Sequence, residues 1–324
     1  MATSQPITAH EATFADYFDR VVDNIERVIQ GKRDVISLVL LCLVSEGHLL
    51  LEDVPGVGKT SLAKSLATSL DASFGRVQFT PDLLPSDVVG LTVWNRSDGS
   101  FTFRPGPIFN NLVLADEINR ASPKTQAALL EAMAEDQVTV DGATYPMSRP
   151  FMVIATQNPI EHEGTFPLPE SQLDRFLMRI AMGYPARAAE IAILDTHARA
   201  APPMDQLAPV ASAADVAAMV ALAHAVHVAP ALKGYIVDLA AASRRHPGLA
   251  LGMSPRAALG LLRAARALAA SLGRDFVVPD DLKSLAGPVL EHRLVLTPEA
   301  QLRGATRQGV LREVLASVPV PQGR

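Results

Sequence analysis

Five short apolar runs mark the first part of the chain, at 48–53 (HLLLED), 76–80 (RVQFT), 111–117 (NLVLADE), 150–157 (PFMVIATQ) and 176–182 (FLMRIAM). Each has the length and continuous apolarity of a strand buried on both faces. Segments of helical period separate most of them. Leu62, Leu66 and Leu70 share one face after the first run, as do Ala128, Leu129, Ala132 and Met133 after the third. This alternation predicts an α/β core built on a parallel sheet. Two intervals break it. VWNRSDGSFTFRPG (93–106) and QVTVDGATYPM (137–147) each read as two β-prone stretches turned on Asp-Gly, at Asp98-Gly99 and Asp141-Gly142. A type I′ turn needs positive φ at both central residues, which this dipeptide tolerates, so two β-hairpins are inserted into the core.

Beyond Tyr184-Pro185 the pattern changes to alanine-rich segments such as 211–226 (ASAADVAAMVALAHAV) and 254–273 (SPRAALGLLRAARALAASLG), without strand-like alternation. A smaller all-helical second domain follows. Ser254 before Pro255, and Thr297 before Pro298, put a capping hydroxyl ahead of a proline suited to the first helical position. The expected division is an α/β domain over 1–187, with 1–12 flexible, and a helical domain over 188–324.

Length agrees, since 324 residues exceed the usual size of one domain. A hydrophobic fraction of 48% with 19% charged residues excludes a disordered chain. The longest apolar stretch, Val35 to Val44, is half of what a membrane-spanning helix requires, so no transmembrane segment is expected. The N-terminus lacks the basic start and apolar middle of an export signal, and the single cysteine, Cys42, lies in an apolar run where a packed thiol fits. A cytoplasmic setting is the expectation.

The segment HLLLEDVPGVGKTSLAKSL has the strand, glycine loop, Lys-Thr and helix order of a phosphate-binding loop. Pro55, Gly56, Val57, Gly58, Lys59, Thr60 and Ser61 would cradle an oxyanion with backbone N–H groups at a helix N-terminus. Lys59 would reach the β and γ phosphates, and Thr60 would coordinate Mg²⁺. Asp53 occupies the place where the motif expects glycine, so its carboxylate must point away from the phosphates. The third run ends in Asp116 and Glu117. Asp116 would hold Mg²⁺, and Glu117 would polarise a water for in-line attack on the γ-phosphate. Asn158, at the end of the fourth run, is an amide placed to meet the γ-phosphate or that water, or else a turn residue before Pro159. Arg256 falls in the first turn of a lid helix, where a cation opposes the helix dipole; an anionic partner such as ATP would offset that cost.

Together these residues resemble an AAA+ ATPase, specifically the MoxR family. The likeness runs from about Phe14 to Val318 and is carried by LLLEDVPGVGKTSLAK, FTPDLLPSDVVG, FRPGPIFNNLVLADEINRASPKTQAALLEAM, VIATQNPIEHEGTFPLPESQLDRFLMRI and GMSPRAAL. It implies a P-loop AAA+ core with a five-stranded parallel sheet and two hairpins, a helical lid, and a ring of subunits, expected to be a hexamer. It also implies that Arg175, in LPESQLDRF, reaches the γ-phosphate in a neighbouring subunit, against a local ion pair with Asp174 or Glu170. Arg120 is a second interface candidate. The adenine would rest near Val28, Ile29, Gln30 and Gly31, followed by Lys32. The cofactors are ATP and Mg²⁺, and the implied task is remodelling a protein client or inserting a cofactor into it, with proteins carrying a von Willebrand factor A domain among the candidate clients.

Phe101, Phe103 and Tyr145 on the hairpins would either touch such a client or pack the hairpins onto the core. A nucleic-acid motor is the first rival, opposed by a net charge of −5 and the lack of a basic stripe, so no nucleic acid is expected. A nucleotide-gated scaffold is the second, opposed by Glu117, which a switch without turnover does not need. His162, between Glu161 and Glu163, has no histidine at ligand spacing and is assigned no metal.

Overall fold

The computed structural model of the chain describes residues 13–97, 99–159, 164–197 and 203–321. Residues 1–12, Asp98 and His162, on which expectations were placed above, lie outside the described residues. Two helices, α1 (Phe14–Glu26) and α2 (Arg33–Val44), precede strand β1 (Leu49–Glu52). Then come α3 (Lys59–Ser69), β2 (Phe74–Gln78), α4 (Pro85–Val89), β3 (Gly90–Asn95), β4 (Ser100–Pro105), β5 (Leu112–Asp116) and α5 (Pro123–Glu135). The core continues through β6 (Gln137–Val140), β7 (Ala143–Pro146), β8 (Met152–Gln157), α6 (Glu170–Leu173) and β9 (Met178–Ile180), and α7 (Arg187–His197) follows.

The five apolar runs become β1, β2, β5, β8 and β9, joined in one parallel sheet of order β2-β5-β8-β1-β9. Successive strand residues face opposite ways, so each strand feeds two apolar layers. Leu49, Leu51, Leu112, Leu114 and Ile154 pack toward α1, α2 and α3, whereas Leu50, Val113, Ala115 and Val153 pack toward α5. Leu62, Leu66 and Leu70 are all fully buried, each contributing roughly 1.5–3 kcal/mol by leaving water.

Both inserted hairpins form, β3 with β4 and β6 with β7. Asp141 and Gly142 take positive φ, 48° and 81°, as the type I′ turn requires. The hairpins lean on each other. Phe103 stacks on Tyr145 with ring centroids 4.1 Å apart and meets Phe109 edge-on, so packing describes those two rings. Phe101 instead pairs with Trp94 at 4.8 Å and is 72% exposed.

The second domain comprises α8 (Ala213–Ala225), α9 (Pro230–Arg245), α10 (Pro255–Ser271), α11 (Pro279–Leu290), α12 (Pro298–Leu302) and α13 (Arg307–Ser317). Ser254 and Thr297 cap α10 and α12 through the N–H groups of Ala257 and Ala300, each ahead of its proline. The lid is helical as expected except for a short antiparallel ribbon of β10 (Leu249–Leu251) and β11 (Val295–Leu296). Strands this short are too brief to show alternation in a sequence.

Two buried histidines tie the core together as neutral rings. His48, just before β1, accepts the Val153 N–H at Nδ1 and lies 3.0 Å from the Met133 carbonyl through Nε2. His292, after α11, meets the Phe176 carbonyl at 3.0 Å. Burial pushes His48 from 6.5 down to about 4, and burial with the neighbouring Arg293 charge pushes His292 down to about 3. Between those values and 6.5 the unfolded chain binds more protons than the folded one, so stability rises with pH across that window. It is lost as the pH falls from 6.5 toward 4, at up to roughly 1.4 kcal/mol for each ring with every step of one in pH. Thermal melts from pH 7 to 5 should show the midpoint falling steeply, and His48→Gln should flatten the slope; an unchanged slope would refute this account.

Candidate nucleotide site

Because all five strands run parallel, the loops after β1, β5 and β8 open on one edge of the sheet, where ligands of such folds bind. The loop after β1 turns through Gly56 and Gly58, at φ 84° and 94°, values that favour glycine. Gly58 is the N-cap of α3, and no side chain caps that end. The first-turn N–H groups and the positive end of the helix dipole therefore serve an incoming oxyanion.

Pro55, Gly56, Gly58, Lys59, Thr60, Ser61, Asp116, Glu117 and Asn158 line one cavity of about 330 Å³. Sequence elements separated by up to a hundred residues thus converge on one volume. Val57 lies in the adjoining cavity of about 490 Å³, together with Val28, Ile29, Gln30 and Lys32, and Gly56, Gly58, Thr60 and Ser61 border both. Met182, Pro185, Ile193 and Met204 complete its apolar wall. Gly31, at φ 69°, turns close to Ala189, whose Cβ would stand 3.2 Å from any added side chain. A polar compartment at the loop and an apolar one beside it are therefore contiguous.

Asp53 is buried with its carboxylate turned from the loop cavity. Oδ1 accepts the Val54 N–H at 2.8 Å, and Oδ2 accepts the Gly183 N–H at 2.6 Å. Its carbonyl meanwhile accepts from Lys59 Nζ at 2.7 Å. The missing motif glycine is thus replaced by a residue that fastens the loop to Gly183, next to Met182 of the apolar compartment.

The carboxylates are held by neighbours, of which Thr156, Arg76 and Gln78 were missed from sequence and Arg120, read as an interface candidate, pairs with Glu117 of its own chain. Thr156, buried in β8, donates to Asp116 Oδ1 at 2.6 Å and accepts the Glu117 N–H at 2.8 Å. Arg76 on β2 pairs with Asp116 Oδ2 at 2.8 Å. Glu117, at a left-handed φ of 55°, takes hydrogen bonds on Oε2 from Gln78 at 3.0 Å and Arg120 at 2.9 Å. The signal for Arg76 and Gln78 is weak, because on an edge strand they look like ordinary solvated residues. Only the register that sets Gln78 opposite Asp116 reveals them. Thr60 and Asp116 offer oxygen donors to one cavity, a set suited to a hard cation such as Mg²⁺. Among the described residues no group of three or more His, Cys, Asp or Glu could hold a metal.

Arg175 and Arg256 stand elsewhere. They line a separate cavity of about 180 Å³ with Arg263 and Arg293, and neither borders the loop cavity of its own chain. Arg175 donates to the Leu130 carbonyl, and Arg256 lies 3.9 Å from Asp174. Arg256, expected to meet an anion such as ATP, lies away from this chain's loop cavity and beside the Asp174 carboxylate. The cause is the lid, which seats the N-terminus of α10 beside Asp174.

Fold and site together define the chain as a P-loop nucleotide hydrolase of the AAA+ class. The family described as "ATPase family associated with various cellular activities (AAA)" matches residues 48–178, and the AAA lid domain matches 241–314. Chaperone MoxR1 of Mycobacterium tuberculosis is 42% identical over 94% of this chain and 82% of its own, and protein MoxR of Paracoccus denitrificans is 35% identical over 91% and 93%. The crystal structure of a candidate ATPase from Cytophaga hutchinsonii shares 38% identity and a TM-score of 0.89 over 95% of this chain and 96% of that one. The chain belongs to the MoxR family of AAA+ ATPases and is an ATP hydrolase.

Proposed function

We propose that the chain hydrolyses ATP within a hexameric ring and uses the cycle to remodel, activate or load a cofactor into a protein client, with a von Willebrand factor A domain as the first client type to test. The observation that carries the reading is the single cavity shared by Lys59, Thr60, Asp116, Glu117 and Asn158. In it Lys59 would grip the β and γ phosphates, Thr60 and Asp116 would hold Mg²⁺, Glu117 would accept the proton of the attacking water, and Asn158 would orient that water against the terminal phosphate. Bound Mg²⁺ neutralises the charge of the phosphate oxygens. The base lies among Val28, Ile29 and Met182.

Arg175 and Arg256 act on the nucleotide of the adjoining subunit, a role supported by their joint position away from their own phosphate loop. Residues 1–187 form the nucleotide-binding domain in this scheme and 188–324 the lid. A cytoplasmic setting is part of this reading; Cys42 is buried and burial pushes its thiol up, and no helix among the described residues is long and apolar enough to cross a membrane. No nucleic acid takes part.

Calorimetry tests the site directly. Mg²⁺-dependent ATP binding is expected, and Lys59→Ala should weaken it by at least about tenfold, since a hydrogen bond to a charged group is worth about 1.5–3 kcal/mol and about 1.4 kcal/mol is tenfold. Equal affinity in the variant would overturn the assignment.

A further inference from the structure

Arg175 sits on a short segment, 174–177, that the lid grips from several sides. Ser254 Oγ, while capping α10 through the Ala257 N–H, donates to both oxygens of Asp174, at 3.0 and 3.1 Å. Arg293, which is buried, sets its Nε 3.0 Å from Asp174 Oδ1 and donates through Nη2 to the Asp174 and Phe176 carbonyls. His292 reaches the same Phe176 carbonyl. On the following residue, Leu177 packs so closely on α10 that a Cβ at Gly260 would lie 2.9 Å from it.

The core holds the same segment from the other side: Phe176 is fully buried in the core cluster and the Leu177 N–H donates to the His48 carbonyl at 2.8 Å. The guanidinium of Arg175 rests on the Leu130 carbonyl of α5. The lid thus reaches this arginine through its neighbour Asp174, whereas α5 holds its guanidinium, so a shift of α10 against α5 pulls on one end of the residue and not on the other. Burial pulls Arg293 down to about 10, opposed chiefly by the Asp174 carboxylate, so the two groups depend on each other. A pair of this kind is costly to break by removing one partner.

We propose that Asp174 is a positioning residue which transmits lid position to Arg175, so that nucleotide-driven lid movement in one subunit sets the reach of its arginine into the next. The inference rests on the reading of Arg175 as a residue acting across the subunit boundary.

The test compares Asp174→Asn, Arg175→Ala and the double variant in assembled protein, with ATP affinity of the isolated chain as a parallel readout. In Asp174→Asn, kcat per assembled protomer should fall about tenfold to a hundredfold, the effect of a misplacement near 1 Å, with KM and single-chain affinity retained. The double variant should be no slower than Arg175→Ala alone. If Arg175→Ala turns over normally, the cross-subunit reading fails; if Arg175→Ala is slow but Asp174→Asn is not, or the two losses multiply, only the coupling proposal fails. Should Asp174→Asn not fold, Ser254→Ala replaces it, with Ser254→Thr as the rescuing control. A kcat equal in the alanine and threonine variants would overturn the proposal.

Discussion

Arg175→Ala is expected to lower ATP turnover of the assembled protein by about 10³ to 10⁵-fold, the range for a guanidinium supplied across a subunit boundary to a transferring phosphoryl group. That corresponds to roughly 4–7 kcal/mol of barrier. The physical basis is placement: Arg175 lines a cavity with Arg256, Arg263 and Arg293 on a surface apart from its own phosphate loop. Loss of the side chain should therefore leave the single chain's ATP affinity unchanged. A steady-state phosphate-release assay on assembled protein checks the first part and calorimetry the second. A surface arginine with only local contacts would change turnover by less than about fivefold, since such pairs are worth under about 1 kcal/mol.

Glu117→Gln should lower turnover by about 10² to 10⁴-fold while ATP still binds, because the amide cannot accept the proton of the attacking water. Its position makes the expectation specific. The residue adopts a left-handed backbone conformation immediately after β5, where Thr156 accepts its N–H and Gln78 and Arg120 fix one carboxylate oxygen. A non-glycine residue in that region costs energy that the surroundings must hold in place. Single-turnover phosphate release beside an equilibrium ATP titration is the measurement. Equal rates for the variant and the parent would favour a nucleotide-gated scaffold.

The contiguous parts of this site were readable from residue order alone. Pro55 to Ser61 follow a buried strand and open a helix, a local arrangement that fixes both the turn and the direction of its N–H groups. Asp116, Glu117 and Asn158 were readable because a buried parallel strand must end where its sheet ends. Arg76 and Gln78 were hidden, since their meaning depends on which strand pairs with β5. The seat of Arg256 was hidden for a related reason. An apolar cluster runs without a break from Leu49 and Leu51 to Leu261 and Leu285, and this packing across distant sequence decides where the lid helix begins relative to the core. The ribbon of β10 and β11 escaped because a few residues carry no period.

The aspartate at position 53 bears on how such loops are found at all. What the first motif position must supply here is a fixed backbone path, and a side chain that clasps two amides, at Val54 and Gly183, supplies it as well as a bare α-carbon does. The same residue accepts from Lys59 through its carbonyl, so the loop and the start of the segment after β9 are joined through one aspartate. Searches that insist on glycine would pass this chain by, whereas searches for a shape would not.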